Sequence, residues 1–510
     1  MSSTSQLCGQ KKRPELKILG LLLLSLPLLA SEKPLDPLSV TQHLAFYELY
    51  PETAEGKQAL AHAWDLLTRG KASLAQPLPL PSFDIQALIS LVTRQPFSDP
   101  VILSEEQLTA IETIGASLHN RQLKGHLVWT KKELLELPTE EIDLSRGLLI
   151  NQFNENKENI RQYEASLDLM ALQILARLPS NASPALQIQA INRFIFQEMR
   201  FRFPPHSLYA KDVDLYTFLP SVLDSREGVC LGISILYLSL AQRLGLPLEI
   251  ITPPGHIYIR YREGVKITNI ETTARGINLP SDTYLGIDTR RLDQRTVKEV
   301  IGMAFVNQAS VAWGLNQYEA TTKLYEIAKD YLPNDPLLKF FLGMNYLFIG
   351  KKSEGRKLLE QLKGFTFDYA VSPETIPDDY LGGKVDIEGL KAIYMRVDET
   401  KDSILEKQKR IQKTLTRYPH FRDGLFHLAI SWLQLGRPSE AKEVLEKYHK
   451  LDPSNCVVEY YLAILSSERF DYTQAWAYLK NTERLLQKRE HTCKALRGLK
   501  DQLRRVSPES

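Results

Sequence analysis

Apolar residues recur at helical spacing through most of the chain and change rhythm in one central stretch. From about Pro34 to Gln152 the text predicts helices, broken at QPLPLPSF and QPFSDP. FDIQALISLVTR and SEEQLTAIETIGASLHNRQL both carry apolar residues on one helical face, and Ser104 followed by acids marks a helix start. Two more amphipathic helices follow, NENKENIRQYEASLDLMALQILARLP and SPALQIQAINRFIFQEMRFRF. The next helix, CLGISILYLSLAQRLG from Cys230 to Gly245, is apolar nearly all round and therefore belongs in the middle of a domain. Gly245 stops it. Three strand-like runs come at once: PLEIIT, HIYIRY and KITNIETT, with Glu263–Gly264 as the predicted turn between the last two.

Beyond Thr296 the rhythm is helical again, and it repeats. Pro419 and Pro453 lie 34 residues apart, as do Ala429 and Ala463, and Ala441 and Ala475. Within each unit the two alanines are 12 apart, the spacing at which small residues let paired helices touch. This pattern is identified as a tetratricopeptide repeat. Gly343 and Gly355 repeat the 12-residue spacing upstream, and GFTFDYAVSPETIPDDYLGGKVD interrupts the array as a long loop. The basic tail KNTERLLQKREHTCKALRGLKDQLRR reads as a solvated helix capping the solenoid. Trp432 and Tyr448 sit at helix-packing positions, so they are assigned to the core.

Composition narrows the function. A chain of 510 residues predicts two to four domains, and 43% hydrophobic with 24% charged residues is globular. With 63 basic and 61 acidic residues the net charge is +2, which leaves no footprint for nucleic-acid binding. Four cysteines (Cys8, Cys230, Cys456, Cys493) make no disulfide framework, although Cys456 and Cys493 could pair if brought together. At the N-terminus, KKRPELK precedes the 13-residue apolar run Ile18–Ala30. That run is shorter than the roughly 20 residues a membrane span needs, and it predicts an export signal in residues 1–31. The expected location is outside the cytoplasm, periplasmic or membrane-associated. Membrane contact would run through residues 18–30 if the segment stays uncleaved. Histidine and cysteine spacings suggest no metal site, and no phosphate loop or dinucleotide fingerprint predicts a cofactor.

The candidate chemistry centres on Cys230, at the first turn of the buried helix. Nucleophilic acyl transfer by cysteine needs a base in reach of the sulfur and a third group to orient the base. His206 lies in the loop before the helix and His256 opens the first hairpin strand; His256 is preferred because its hairpin supplies the third group. A two-residue Glu263–Gly264 turn, or a four-residue loop from Arg262 to Val265, pairs His256 with Glu271 on one face. A strand shifted by two offers Asn269 instead, and a three-residue loop would place Ile270 or Thr272 there. Cys230 is then the nucleophile, its backbone N–H an oxyanion donor, His256 the acid–base group and Glu271 (or Asn269) the residue that holds the imidazole. Tyr258, one step along the strand face, reads as a pocket wall.

SREGVCLGISILYLSLAQRLGLPLEIITPPGHIYIRYREGVKITNIETTARG, with the upstream INRFIFQEMRFRF and FLPSVL, resembles the transglutaminase-like superfamily, most closely its SirB-type bacterial branch. The resemblance runs from about Pro184 to Gly276 and implies an α+β, papain-like core with a Cys–His–Asp triad. Cys230 in GVCLG and His256 in PPGHIYIRY match the first two members, and Glu271 stands where the family usually has Asp. Members of the branch are often joined to tetratricopeptide repeats and often lack the cysteine. The expected organisation is a signal or anchor (1–31), a helical domain (32–152), the transglutaminase-like core (153–292) and a tetratricopeptide α-solenoid (293–510). The function expected is a thiol enzyme acting on amide bonds of a protein or peptide, hydrolysis before amine transfer, with repeats that bind a partner. The competing expectation is an inactive envelope scaffold that works through its repeats.

Overall fold

A helix with no polar stripe needs neighbours on every side. In the computed structural model, which describes residues 35–68, 85–204, 217–398 and 400–508, Cys230–Leu244 has them. Around it pack helices Leu144–Gln152, Lys157–Leu175, Pro184–Asn192 and Leu219–Ser225, one face of the sheet, and the long helix Val297–Gly314. Ile235, Leu236, Tyr237 and Leu240 are fully buried in consequence. Gly245 ends the helix in the left-handed region at φ +72, as its position predicts.

The helix start is anchored by backbone. Arg202 N–H donates to the Arg226 carbonyl at 3.0 Å, and Gly228 N–H donates back to the Arg202 carbonyl at 3.0 Å. A β-carbon on Gly228 would lie 2.6 Å from Ile233 Cδ1, so the close approach requires glycine.

Beside the helix lies a four-stranded antiparallel sheet in the order β3-β2-β1-β4, with β1 Glu249–Thr252, β2 Tyr258–Glu263, β3 Lys266–Ile270 and β4 Asp293–Arg295. The hairpin register corrects the expected one. Glu263 pairs with Lys266 and Arg260 with Asn269, so the turn is Gly264–Val265, not Glu263–Gly264. Gly264 takes φ +58 at the first central position, the glycine-first arrangement of a type II′ turn. The difference is two residues, and an even shift leaves every side chain on its original face.

Leu38–Ser510 hold together as one unit, and polar contacts cross both expected boundaries at 152 and 292. Gln242 on the cysteine helix accepts from Leu144 N–H and donates to the Ile142 carbonyl, both at 3.0 Å. Thr252 Oγ1 donates to the Asp293 carbonyl at 3.2 Å across the second boundary, and Arg295 on β4 pairs with Asp335 at 2.8 Å, joining the sheet to the repeats. In the N-terminal region, Ser104 and Gln107 close a reciprocal capping box at the start of Glu105–Ile114.

The repeat region is built of antiparallel helix pairs, among them Pro336–Phe348 with Lys352–Glu360, Arg422–Gln434 with Pro438–Leu451, and Cys456–Glu468 with Tyr472–Gln487. Ala429, Ala441, Ala463 and Ala475 are fully buried where these helices meet. Gly355 does the same in the first pair, where a β-carbon would come within 2.8 Å of the Gly343 carbonyl. The final helix Lys494–Val506 buries Leu496, Leu499 and Leu503 on one stripe, which is how a cap meets the last repeat. Tyr448 is buried and Trp432 is partly buried against the core. Cys456 and Cys493 are both buried and unpaired.

The expected long loop in the repeats is more ordered than its composition suggests. It contains the helix Ile376–Leu381, and its first half folds back onto the central region. Arg290 N–H donates to the Tyr369 carbonyl at 2.8 Å, and Ser372 N–H donates to Asp288 Oδ1 at 2.6 Å. The aromatic rings of Phe367 and Tyr369 stack there at 5.4 Å.

Candidate active site

Two local features set the surroundings of the Cys230 sulfur. Cys230 is the first residue of its helix, and the capping residue, Val229, has no polar side chain. The amide N–H groups of the first turn therefore stay available beside the sulfur, with the positive end of the helix dipole. Cys230 itself is half-buried and lines a cavity of about 440 Å³.

A turn delivers His256. Pro253–Pro254–Gly255–His256 closes with His256 N–H donating to the Pro253 carbonyl at 3.0 Å, and Gly255 sits at φ +72. Proline second and positive-φ glycine third is the signature of a type II turn. No atom crowds a β-carbon at Gly255, so the glycine serves the backbone angle rather than space. The turn places the imidazole at the same cavity, with 25% of its side chain exposed.

His256 Nε2 meets Glu271 Oε2 at 2.8 Å, and the Cys230 side chain lies near enough to favour the charged ring. With Nε2 committed to the carboxylate, Nδ1 is left for the sulfur. Burial works against the charged ring, but Cys230 and Glu271 outweigh it, and His256 is pushed up to about 10 from its ordinary 6.5. Burial likewise pushes the Glu271 carboxyl up, yet hydrogen bonds from His256, Thr273 and Tyr284 hold it at about 2. At neutral pH the ring is then an imidazolium flanked by a carboxylate.

Glu271 reaches His256 diagonally. In the observed register it lies just past the end of β3, and His256 lies just before β2. The longer glutamate side chain spans this offset. Its Oε1 accepts from Thr273 N–H at 3.1 Å and Thr273 Oγ1 at 2.6 Å, while its Oε2 also accepts from the Tyr284 hydroxyl. Thr272 Oγ1 bonds Ser234 Oγ at 3.0 Å and the Cys230 carbonyl at 3.4 Å, which ties the carboxylate segment to the nucleophile's own helix.

Of the residues singled out in the sequence, the structure brings together Cys230, His256 and Glu271. Asn269 is a correction. The register moves it away from His256, and it bonds Arg260, the Leu279 carbonyl and Ser281, pinning the loop that leads to Tyr284. Tyr258 is fully buried behind the site, stacked on Tyr284 at 4.7 Å, so it backs the site rather than walling the cavity. His206 and the 18–30 segment lie outside the described residues.

Sequence reasoning missed Tyr284. Its ring stacks on His256 at 5.6 Å while its hydroxyl holds Glu271. Nothing in SDTYLGID marks it, because its role comes from a short 3-10 turn, Ser281–Tyr284, brought over the hairpin by tertiary packing.

Among the described residues, His126, Asp143 and Glu164 lie close enough to share a cation. Their atoms are already engaged. Arg146 donates to both Glu164 oxygens at 2.6 Å, and Arg121 faces His126 Nε2 at 2.5 Å. Two guanidinium groups in that position oppose a metal ion electrostatically.

Comparison with known proteins places this site in context. Residues 161–296 match the transglutaminase-like superfamily. This stretch is a transglutaminase-like domain. F-box only protein 21 of Mus musculus is 31% identical over 113 residues, which is 22% of this chain and 16% of that protein. A UPF0162 protein of Xylella fastidiosa (strain 9a5c) is 24% identical over 188 residues, 34% of this chain and 65% of that protein. The chain thus spans less than two thirds of the length of either relative.

Among solved structures, a crystal structure of MamA is 12% identical, covering 36% of this chain and 96% of its own, with a TM-score of 0.20. TTC0263, a thermophilic TPR protein of Thermus thermophilus, is 15% identical, covering 40% and 100%, with a TM-score of 0.22. Scores that low carry no structural argument, and the repeat architecture rests on the helix pairs described above. The transglutaminase-like domain thus holds all three residues of the Cys230 site, and the repeats follow it.

Proposed function

We propose that the transglutaminase-like domain is a thiol enzyme that cleaves amide bonds of a protein or peptide, with Cys230 as nucleophile and His256 as acid–base group oriented by Glu271. The observation that carries this reading is that Cys230 and His256 line one cavity while Glu271, buried behind it, bonds His256 at 2.8 Å. The Cys230 sulfur attacks the amide carbonyl carbon and forms a C–S bond. The carbonyl oxygen takes up the negative charge and is met by the uncapped N–H groups of the first helical turn. Protonated His256 then gives its proton to the leaving nitrogen as the C–N bond breaks. Water attacks the thioester, His256 takes a proton from it, and the C–S bond breaks to release the acid and restore the starting pair. Amine transfer would differ only in the second acceptor. Hydrolysis is favoured because a half-exposed site admits water.

The repeats, as helical arrays generally do, would hold a protein or peptide partner in their groove. Lys391, Lys409, Arg410, Lys413 and Arg417 line one such groove of about 750 Å³. Export, suggested by the apolar N-terminal run, would set the partner outside the cytoplasm. Among the described residues no helix is long and apolar enough to cross a membrane.

Alkylation by iodoacetamide tests the reading against the scaffold alternative. In the folded protein Cys230 should label at least tenfold faster than buried Cys456 and Cys493 at mildly acidic pH, and His256→Ala should remove that advantage. Equal rates, or indifference to His256→Ala, would leave the repeats as the functional surface.

A further inference from the structure

The cavity at Cys230 is not built by the transglutaminase-like domain alone. One wall is Cys230, Leu231, Pro253, Pro254 and Ile257. The opposite wall comes from the repeat region: Met303 and Val306 on Val297–Gly314, Leu338 and Phe341 on Pro336–Phe348, and Tyr369 from the folded-back segment. The two walls are latched. β4 pairs with β1 beside the turn that carries His256, and Arg295 on β4 bonds Asp335, which caps the helix holding Phe341. Leu332 seats against Gly302, where a β-carbon would sit 2.8 Å from it, so the repeat helices cannot stand off from the junction helix without opening a void.

The lining is mostly apolar; Thr252, Asn307 and Ser310 are its neutral polar members, and its charged groups lie toward one edge. Besides His256, the ionised groups there are Asp293, Asp335 and Arg295, and Arg295 is consumed by Asp335 and by Glu299 at 3.3 Å. Asp293 is paired with Arg291 at 3.4 Å, Asp335 with Arg295 and His256 with Glu271, so an acidic side chain would find every cation there already taken; an apolar one would find hydrocarbon. We infer that the first repeat helices form the specificity wall of the Cys230 site, selecting amide substrates with a large apolar side chain beside the scissile bond. Met303, Val306 and Phe341 determine that choice. A volume of about 440 Å³ is that of a pocket for a small ligand, enough for such a side chain with some peptide backbone.

The inference rests on the proposed amide chemistry for its biological meaning, but its test does not require turnover. In the full chain, labelling at the Cys230 peptide is followed by mass spectrometry with iodoacetamide, N-benzyliodoacetamide and iodoacetate, each rate divided by that for glutathione. The expected order is benzyl over iodoacetamide by about tenfold, with iodoacetate slowest. Val306→Trp should erase the benzyl preference, bringing the ratio of benzyl to iodoacetamide rates down to about one. Phe341→Ala should move the preference to a naphthylmethyl reagent, a gain that a folding defect cannot imitate. A benzyl preference that persists in His256→Ala keeps the pocket even if the catalytic reading falls. No benzyl preference in the intact protein, or one untouched by both Val306→Trp and Phe341→Ala, overturns the inference.

Discussion

One helix carries ionised groups at both ends, and the two ends do opposite things. At its C-terminal end Arg243 is fully buried and bonds Asp168 at 2.8 Å; Arg121 reaches the same carboxylate, and Arg146 with Glu164 completes the cluster. At its N-terminal end Cys230 and His256 are half-buried and line a cavity, with the imidazolium of His256 facing it. Sealed charges are held in pairs because an unpaired one is costly, so that end fixes the helix. The open end keeps its charged pair where a substrate can reach it. Charge placement alone does not mark function; access beside it does.

Breaking the sealed end should have the largest effect. Asp168→Ala strands Arg243 and Arg121 and should cost about 3–5 kcal/mol in urea unfolding of the full chain. Native-state alkylation of Cys230 should stay near its original rate. A smaller stability loss together with lost labelling would show that the two ends are not separate.

Glu271→Gln should perturb the open end and little else. Because Glu271 helps raise His256, its loss should move the alkaline limb of amide turnover from about 10 toward neutral pH, read from a pH–rate profile. The stability windows follow from the same shifts. The His256 contribution is whole below 6.5 and fades as pH rises toward 10, whereas the Glu271 contribution is whole above 4.5 and fades as pH falls toward 2. The variant should lose the Glu271 window and narrow the His256 one, as seen in unfolding midpoints across pH.

Tyr284→Phe should give the smallest change. It keeps the ring stacked on His256 and removes one hydrogen bond to a charged group, worth about 1.5–3 kcal/mol at most. We expect a threefold to tenfold loss in kcat with KM unchanged, and an acid limb displaced upward because Tyr284 helps hold the Glu271 carboxyl down. An unchanged limb would make Tyr284 packing only.

How much of this was legible in the sequence depended on whether the signal was local. The cysteine helix could be placed in the interior because no face of it was polar, and the 34-residue spacing of alanines found the helix contacts. The hairpin face was right although its turn was misplaced by one residue and its pairing by two, since side-chain alternation survives an even shift. Asn269 was lost to that same shift. β4 is Asp293–Gln294–Arg295, three polar residues with no alternation of apolar positions to find. Tyr284, Met303, Val306 and Phe341 join the site only through tertiary packing between segments far apart in the chain. Buried Arg243 shows the same limit at the other end of the helix, because its partner Asp168 lies 75 positions upstream.

The central claim is that His256 is a cation held by sulfur on one side and carboxylate on the other. Imidazole NMR of His256 across pH tests it most directly. The account predicts an imidazolium that persists through neutral pH and titrates near 10, and that falls back toward 6.5 in Cys230→Ala combined with Glu271→Gln. A ring in the intact protein that titrates near 6.5, the same as in the double variant, would contradict it.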